Sequence, residues 1–194
     1  MGKIVVSENI SVDGVIEDAT GDEGLGRGSW FTWITDRDRE EWAKAEIAEA
    51  LGAGALLMGR GTYHWFIARG WTTRTDVWAN RLASVPKYVV SSSPLEGPDW
   101  SNSTVLKGDV VEQVAALKRQ VDGEIVVYGS GSLVPTLIEH DLVDELRLMT
   151  YPIVVGAGGR LFGETSLVKP LRLIETRTIG NGIVLLTYQP VRDA

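Results

Sequence analysis

Glu124-Ile-Val-Val-Tyr128-Gly129-Ser130-Gly131-Ser132-Leu133-Val-Pro-Thr-Leu-Ile138 places a strand, a glycine turn and a helix in immediate succession. The apolar run Ile125 to Tyr128 reads as a buried strand, and the residues after Ser132 carry helical spacing. Glycines let a ligand approach the backbone, and a helix start offers unpaired N–H groups with a partial positive charge. The stretch therefore suits an anion at Gly129–Leu133. It suits a plain strand-to-helix turn equally well.

Working outward, the same grammar recurs twice. Met58 closes an apolar run and is followed by Gly59-Arg60-Gly61-Thr62, and Lys87-Tyr-Val-Val90 is followed by Ser91-Ser92-Ser93. In open α/β sheets, ligands bind beyond the carboxyl ends of the strands. Three neighbouring strands ending this way would make one rim of N–H groups, hydroxyls and the Arg60 guanidinium, able to grip phosphate in two places. Turn glycines and capping hydroxyls explain each loop singly; a ligand with several phosphates explains all three together. A Rossmann fingerprint is not present, because Gly129-Ser-Gly131 lacks the third glycine and Gly156-Ala-Gly158-Gly-Arg has no helical pattern after it.

Composition narrows the partner. The 194 residues are 44% hydrophobic and 23% charged, an ordinary globular balance for one domain spanning 1–194. The net charge of −7, without a basic patch, argues against nucleic acid. No cysteine is present, which excludes disulfides, thiolate metal sites, a cysteine nucleophile and a zinc-deaminase signature. With only His64 and His140, no metal site is expected. No run is long enough to span a membrane and no leader pattern opens the chain, so the expectation is a cytoplasmic protein.

Along the chain, Lys3 to Ile10 reads as a strand closed by the Asp13-Gly14 turn, and Glu17 to Ser29 as an exposed loop leading to Trp30-Phe-Thr-Trp33. Thr35 or Asp36 caps a helix whose face Ala43, Ile47, Ala50 and Leu51 is expected to pack on the sheet, with Arg39, Glu40, Glu46 and Glu49 elsewhere. Arg69 to Asn80, holding Trp71 and Trp78, has no clear period. Thr104 to Leu106 is a short strand, and Asp109 caps a helix through Val110, Val114, Leu117 and Val121. Asp144 to Tyr151 is a further strand, and Leu171–Thr178 with Ile183–Tyr188 form a hairpin about Gly180-Asn-Gly182. Strands separated by helices predict a largely parallel sheet with an antiparallel edge.

Leu57-Met-Gly-Arg-Gly-Thr-Tyr63, Lys87-Tyr-Val-Val-Ser-Ser-Ser93 and Ile125-Val-Val-Tyr-Gly-Ser-Gly131 together resemble the dihydrofolate reductase superfamily. Leu142-Val-Asp-Glu-Leu-Arg-Leu148 and Gly159-Arg-Leu-Phe162 are closer to the reductase domain of the riboflavin-biosynthesis deaminase–reductase and its stand-alone bacterial relatives. The resemblance covers nearly the whole chain. It implies a dihydrofolate reductase-like α/β fold, three layers α/β/α, and NADPH as cofactor. It places the pyrophosphate at Gly59, Arg60, Thr62 and Gly129, Ser130, Gly131, Ser132 and Leu133. It puts the adenosine ribose phosphate by Ser92 and Ser93, with Ser91 beside them, and the nicotinamide by Asn9 and Ile16. It also implies a cis bond at Gly129–Ser130.

On the substrate side the sequence is thinner. The acids Asp36, Asp38, Glu40 and Glu41 read as caps and solvated positions, so no carboxylate of the folate-reducing kind stands out. Asp13 is the best single catalytic carboxylate and reads equally well as a turn residue. Trp30, Trp33 and Tyr128 are candidate walls for a flat small-molecule substrate. Asp141, at a helix C-terminus, is expected to take a left-handed conformation. The resulting expectation is an NADPH-dependent reductase resembling the 5-amino-6-(5-phosphoribosylamino)uracil reductase of riboflavin biosynthesis, transferring hydride to a small heterocyclic or imine-bearing substrate and acting as a homodimer. The alternatives are a dihydrofolate or pteridine reductase and a non-catalytic nucleotide-binding module.

Overall fold

A computed structural model describes residues 1–165 and 167–192. Its strands are β1 (Lys3–Ser11), β2 (Ala53–Gly59), β3 (Lys87–Val90), β4 (Ser103–Leu106), β5 (Glu124–Tyr128), β6 (Glu145–Tyr151), β7 (Leu171–Ile179) and β8 (Ile183–Pro190). They form one sheet in the order β4-β3-β2-β5-β1-β6-β8-β7. All neighbours through β6 are parallel; β8 runs antiparallel to β6, and β7 antiparallel to β8. The helices are α1 (Asp36–Gly52), α2 (Arg60–Ala68), α3 (Val77–Ser84), α4 (Val110–Gln120) and α5 (Leu133–Glu139). This is the dihydrofolate reductase-like arrangement, with a mostly parallel centre and a C-terminal antiparallel hairpin.

Central strands covered on both faces must be apolar on both faces, which is why β2 and β5 read as continuous runs. Ile125 and Val127 pack with Val114 and Leu117 of α4 and Val134 and Leu137 of α5. Leu56, Met58, Val89 and Val126 point the other way, onto Ala50 of α1, Tyr63 and Phe66 of α2, and Ala79 and Leu82 of α3. A third cluster, Trp30, Met149, Tyr151, Ile179, Ile183 and Leu185, closes the α1 side over the hairpin.

Local signals explain most boundaries. Thr35 and Asp38 form a reciprocal capping box at the start of α1. Asp109 accepts the Glu112 amide at 2.9 Å and starts α4. Asp76 accepts the Ala79 amide and starts α3, an element hidden in the sequence by its irregular tryptophans. Asp141 sits at φ 54° after α5, the expected left-handed position.

Two expectations are corrected. Leu51 is 55% exposed, whereas Glu46 is buried. The inner face of α1 is therefore rotated from the apolar reading, because the sheet surface beneath it is polar. The Gly129–Ser130 bond is trans, and no cis peptide occurs among the described residues. Gly129 and Ser130 instead take successive left-handed conformations, φ 59° and 69°, which turn the chain without a cis bond.

Candidate active site

β3, β2 and β5 are adjacent, so their carboxyl ends form the rim anticipated from the sequence. The β2 and β5 loops are tied directly. The Ser130 amide donates to Thr62 Oγ1 at 3.0 Å, and Ser130 Oγ accepts the Gly59 amide at 3.0 Å. A Cβ on Gly129 would come within 3.4 Å of Thr62 Oγ1, whereas one on Gly61 would meet nothing within 4 Å. The turn is thus closed on its inner side and open on its outer side. Arg60 stands exposed in the first turn of α2.

Other residues of the motif are occupied differently. The Leu133 and Val134 amides both donate to the Ser130 carbonyl, at 2.8 and 3.0 Å, and the Leu133 side chain belongs to the core. Leu133 therefore anchors α5, leaving the exposed Gly131 and Ser132 to face outward. Ser91 is buried and closes its own turn, its hydroxyl donating to the Ser93 carbonyl at 2.7 Å and accepting the Ser93 amide. That turn presents Ser92 to solvent.

Ile16 reaches the same place from the other side. A Cβ on Gly131 would lie 3.1 Å from Ile16 Cδ1, so the loop after β1 rests on the glycine turn. Asn9 accepts the Trp42 indole N–H on its Oδ1 at 2.9 Å, linking β1 to α1. Asp13 has structural partners on both oxygens: Ser11 Oγ and the Val155 amide on one, the Gly156 amide on the other. These donors, the serine first, hold its carboxyl down at about 2. A carboxylate so held does not donate a proton near neutral pH.

The tryptophans divide. Trp30 is buried, its indole donating to the Glu17 carbonyl and its ring edge-on to Tyr151 at 5.5 Å. Trp33 is 75% exposed. Tyr128 is buried on the α1 side of the sheet, beside Ser7.

That side holds residues the sequence reading placed elsewhere. Rows across β5, β1 and β6 set Tyr128 beside Ser7 and Arg147, Asn9 beside Met149, and Ser11 beside Tyr151. Above them α1 turns Trp42, Glu46 and Glu49 inward, at helical spacing of three and four. Burial, then the charges of Glu49 and Glu8, raises the Glu46 carboxyl well above its ordinary range. Burial also raises Glu49, opposed by Arg147, Ser7 and Tyr128. Between Ser7 and Asn9, and so starting from the other face of β1, Glu8 is pushed by burial up to about 8, against one bond from the Asn9 amide. Glu8 was concealed by lying in a strand, and Glu46 and Glu49 by a helix rich in acids. The available signal was their spacing from Trp42.

Arg147 is already committed, with Glu49 at 3.1 Å, Glu124 at 2.6 Å and Glu145 at 2.8 Å. Among the described residues no group of three or more histidine, aspartate or glutamate side chains is placed to hold a metal ion. Among them, too, no helix is long and apolar enough to cross a membrane.

The family model described as "RibD C-terminal domain" matches residues 2–185. The chain belongs to the RibD C-terminal domain family. A Bacillus subtilis (strain 168) protein, the uncharacterised YyaP, is 34% identical over 117 residues, 60% of this chain and 60% of that relative's length. The chain thus aligns with less than two thirds of that curated relative. Among solved structures, a Shewanella sp. PV-4 protein described as a "Putative riboflavin biosynthesis protein" superposes with a TM-score of 0.77 at 22% identity, covering 98% of this chain and 99% of that one. Dihydrofolate reductase from Enterococcus faecalis, in complex with NADP(H) and RAB-propyl, superposes with a TM-score of 0.57 at 16% identity, covering 97% of this chain and 96% of that one. At these identities the structural likeness carries the fold; the family match carries the kinship.

Proposed function

We propose that the protein is an NADPH-dependent reductase that transfers hydride to a small heterocyclic or imine-bearing substrate. The observation that carries this reading is the tie between the β2 and β5 loops. The Thr62 hydroxyl and Ser130 amide lock two adjacent strand ends, while Gly59 and Gly61 leave the outer face free of side-chain bulk. A dinucleotide pyrophosphate fits such a cradle, with Arg60 as its cation and the Ser91–Ser93 turn toward the adenosine ribose. In this reading the nicotinamide lies by Ile16, which is set against Gly131, and by Asn9. When bound, the nicotinamide supplies the hydride. The chain's own residues hold it, exclude water and present the substrate.

Fluorescence titration tests the reading. NADPH is expected to bind in preference to NADH, and Arg60→Ala to weaken NADPH binding by about tenfold through loss of one charge-assisted phosphate contact. Binding of neither dinucleotide by the folded protein would sink the proposal. Reduction of a ribosylamino-pyrimidine phosphate would mark the riboflavin-type substrate. A second reading, a dihydrofolate or pteridine reductase, gains weight from Glu46, a buried carboxyl on the first helix. NADPH oxidation with dihydrofolate separates the two. The homodimer belongs to the proposal as well: Leu171, Leu173 and Ile174 are exposed on the edge strand β7, and sedimentation of Leu173→Glu checks that edge.

A further inference from the structure

The candidate active site lies at the carboxyl end of the parallel strands, and a second concave surface lies at the other end. β1 begins there at Lys3, β6 at Glu145 and β7 at Leu171, while the antiparallel β8 ends there at Pro190. The nine residues of β1 put about 26 Å between the two ends. The groove at this far end has a volume of about 550 Å³, and its polar side chains are Lys3, Asp144, Arg172, Gln189 and Arg192. Pro190 and the exposed Val191 give it an apolar strip.

The chain carries a net charge of −7, yet this end is locally positive. Lys118 and Arg192 both reach Asp144, at 2.5 and 2.9 Å, and the Ile4 amide adds a bond to the same carboxylate at 2.8 Å. Lys3 reaches Glu145 at 2.6 Å, and Arg147 holds the other oxygen of Glu145. Lys3, Lys118, Arg172 and Arg192 therefore stand about two carboxylates that are already engaged, and positive charge is left over. A local field of this kind draws anions even to an acidic protein. The two arginines are also only partly used. Arg192 bonds Asp144 Oδ1 and the Val143 and Asp141 carbonyls, at 2.9, 2.9 and 3.1 Å, all through Nη2. Arg172 makes no ion pair among the described residues and one long contact, from Nη2 to Gln189 Oε1 at 3.4 Å. Of the five N–H donors on each guanidinium, those on Nε and Nη1 meet no acceptor among the described residues. Tying down the chain ends accounts for Lys3 and Arg192. It gives Arg172 and the unused donors no role.

We propose that this groove is a second ligand site, holding a small phosphate monoester with its phosphate on Arg172, Arg192 and Lys3 and its organic part along Pro190 and Val191. A phosphate monoester carries about 1.5 to 2 negative charges at neutral pH and three acceptor oxygens, which matches surplus positive charge and several open donors. Arginine suits it because the planar guanidinium can meet two phosphate oxygens at once. Lys3 and Arg192 are pinned by their protein partners before any ligand arrives, so little ordering opposes binding. A volume of about 550 Å³ exceeds what a phosphate group alone needs and falls within the range of small-molecule sites. The site uses no group of the cofactor rim and stands whether or not the reductase reading does.

Titration of the full chain with phenyl phosphate, followed by NMR through the backbone amides of Lys3, Gln189 and Val191, tests the site. These signals are expected to shift together to saturation, so a phosphate that settles on the cofactor rim instead is told apart by where the shifts occur. Benzoate, with a single charge, is expected to bind about tenfold more weakly. Arg172→Gln is expected to weaken phenyl phosphate by about tenfold and to leave the melting temperature unchanged, because that side chain makes no ion pair in the fold. Arg177→Gln makes the same change of charge five residues along β7 and outside the groove, and is expected to stay within about twofold of wild type. Groove signals that stay in place with phenyl phosphate overturn the proposal, as does benzoate that binds as tightly. Arg172→Gln protein that binds like wild type overturns it as well, and so does an equal loss in Arg177→Gln, which would leave only the effect of overall charge.

Discussion

Thr62 Oγ1 receives the amide hydrogen of Ser130 at 3.0 Å, joining the first turn of α2 to the glycine turn after β5. Residues 68 positions apart in sequence thereby share one hydroxyl. The Ser130 hydroxyl adds a second tie, accepting the Gly59 amide. Both hydroxyls therefore tie the two loops together.

Thr62→Val keeps the shape and removes the acceptor. It is expected to cost about 1–2 kcal/mol of stability, because Thr62 Oγ1 accepts both the amide and the hydroxyl of Ser130. Dinucleotide affinity, measured by fluorescence, should fall by about tenfold as the cradle loosens. Unchanged affinity would show that the tie is structural only.

Asp38 holds two elements at once. It completes the capping box with Thr35 and accepts the Asn181 amide and, at 3.2 Å, the Gly182 amide of the β7–β8 turn. Thr35 first, then Asn181, holds its carboxyl down at about 2. A depressed carboxyl stabilises the fold fully above its unfolded value near 3.8, and that stability is lost as pH falls from there through about 2. Asp38→Ala should cost about 2 kcal/mol at neutral pH, from the lost cap and the stranded turn amides. The gap between variant and wild type in urea unfolding should close at low pH.

Glu8 titrates in the opposite sense. Its carboxyl is raised by burial to about 8 in the fold, from 4.5 unfolded. The neutral acid is accommodated at low pH, and the penalty of ionising it grows from about 4.5 until pH passes about 8. Glu8→Gln should therefore stabilise the protein, with an advantage that widens across this window toward an upper limit on the order of 4 kcal/mol. A pH-independent difference would refute the assignment.

Lys87 is a buried ammonium donating to the carbonyls of Leu82, Ala83 and Val85, at 2.5, 3.2 and 2.8 Å, and lying 4.9 Å from the Trp100 ring centroid. It satisfies carbonyls at the end of α3. Burial lowers it to about 8, so the fold loses stability as pH falls from about 10.5 to about 8 and no further below. Lys87→Met should cost about 2–3 kcal/mol at neutral pH by leaving those carbonyls without a donor, and it should abolish this alkaline rise. Chemical unfolding followed across alkaline pH measures both effects.

The sequence by itself determined the parts whose signals are local. Strand β5, its glycine turn, the Gly59–Thr62 and Ser91–Ser93 loops and the hairpin about Gly180–Gly182 were legible, because turn chemistry and apolar runs act over a few residues. Three local features together also pointed to the right family. The Gly129–Ser130 bond was misread because the turn can be made either by a cis bond or by two left-handed residues, and the local sequence does not choose between them. Only the tertiary structure decided which side of α1 faces inward. Glu46 and Glu49 look like ordinary helix-surface acids until β1 and β6 set Ser7, Arg147 and Tyr151 beneath them. Burial and charge come from residues distant in the chain, so the acidity of Glu8, like the contacts of Asp13 with Val155 and Gly156, has no local signature. The rim of strand-end loops is written in sequence; the polar seam beside it is made by packing.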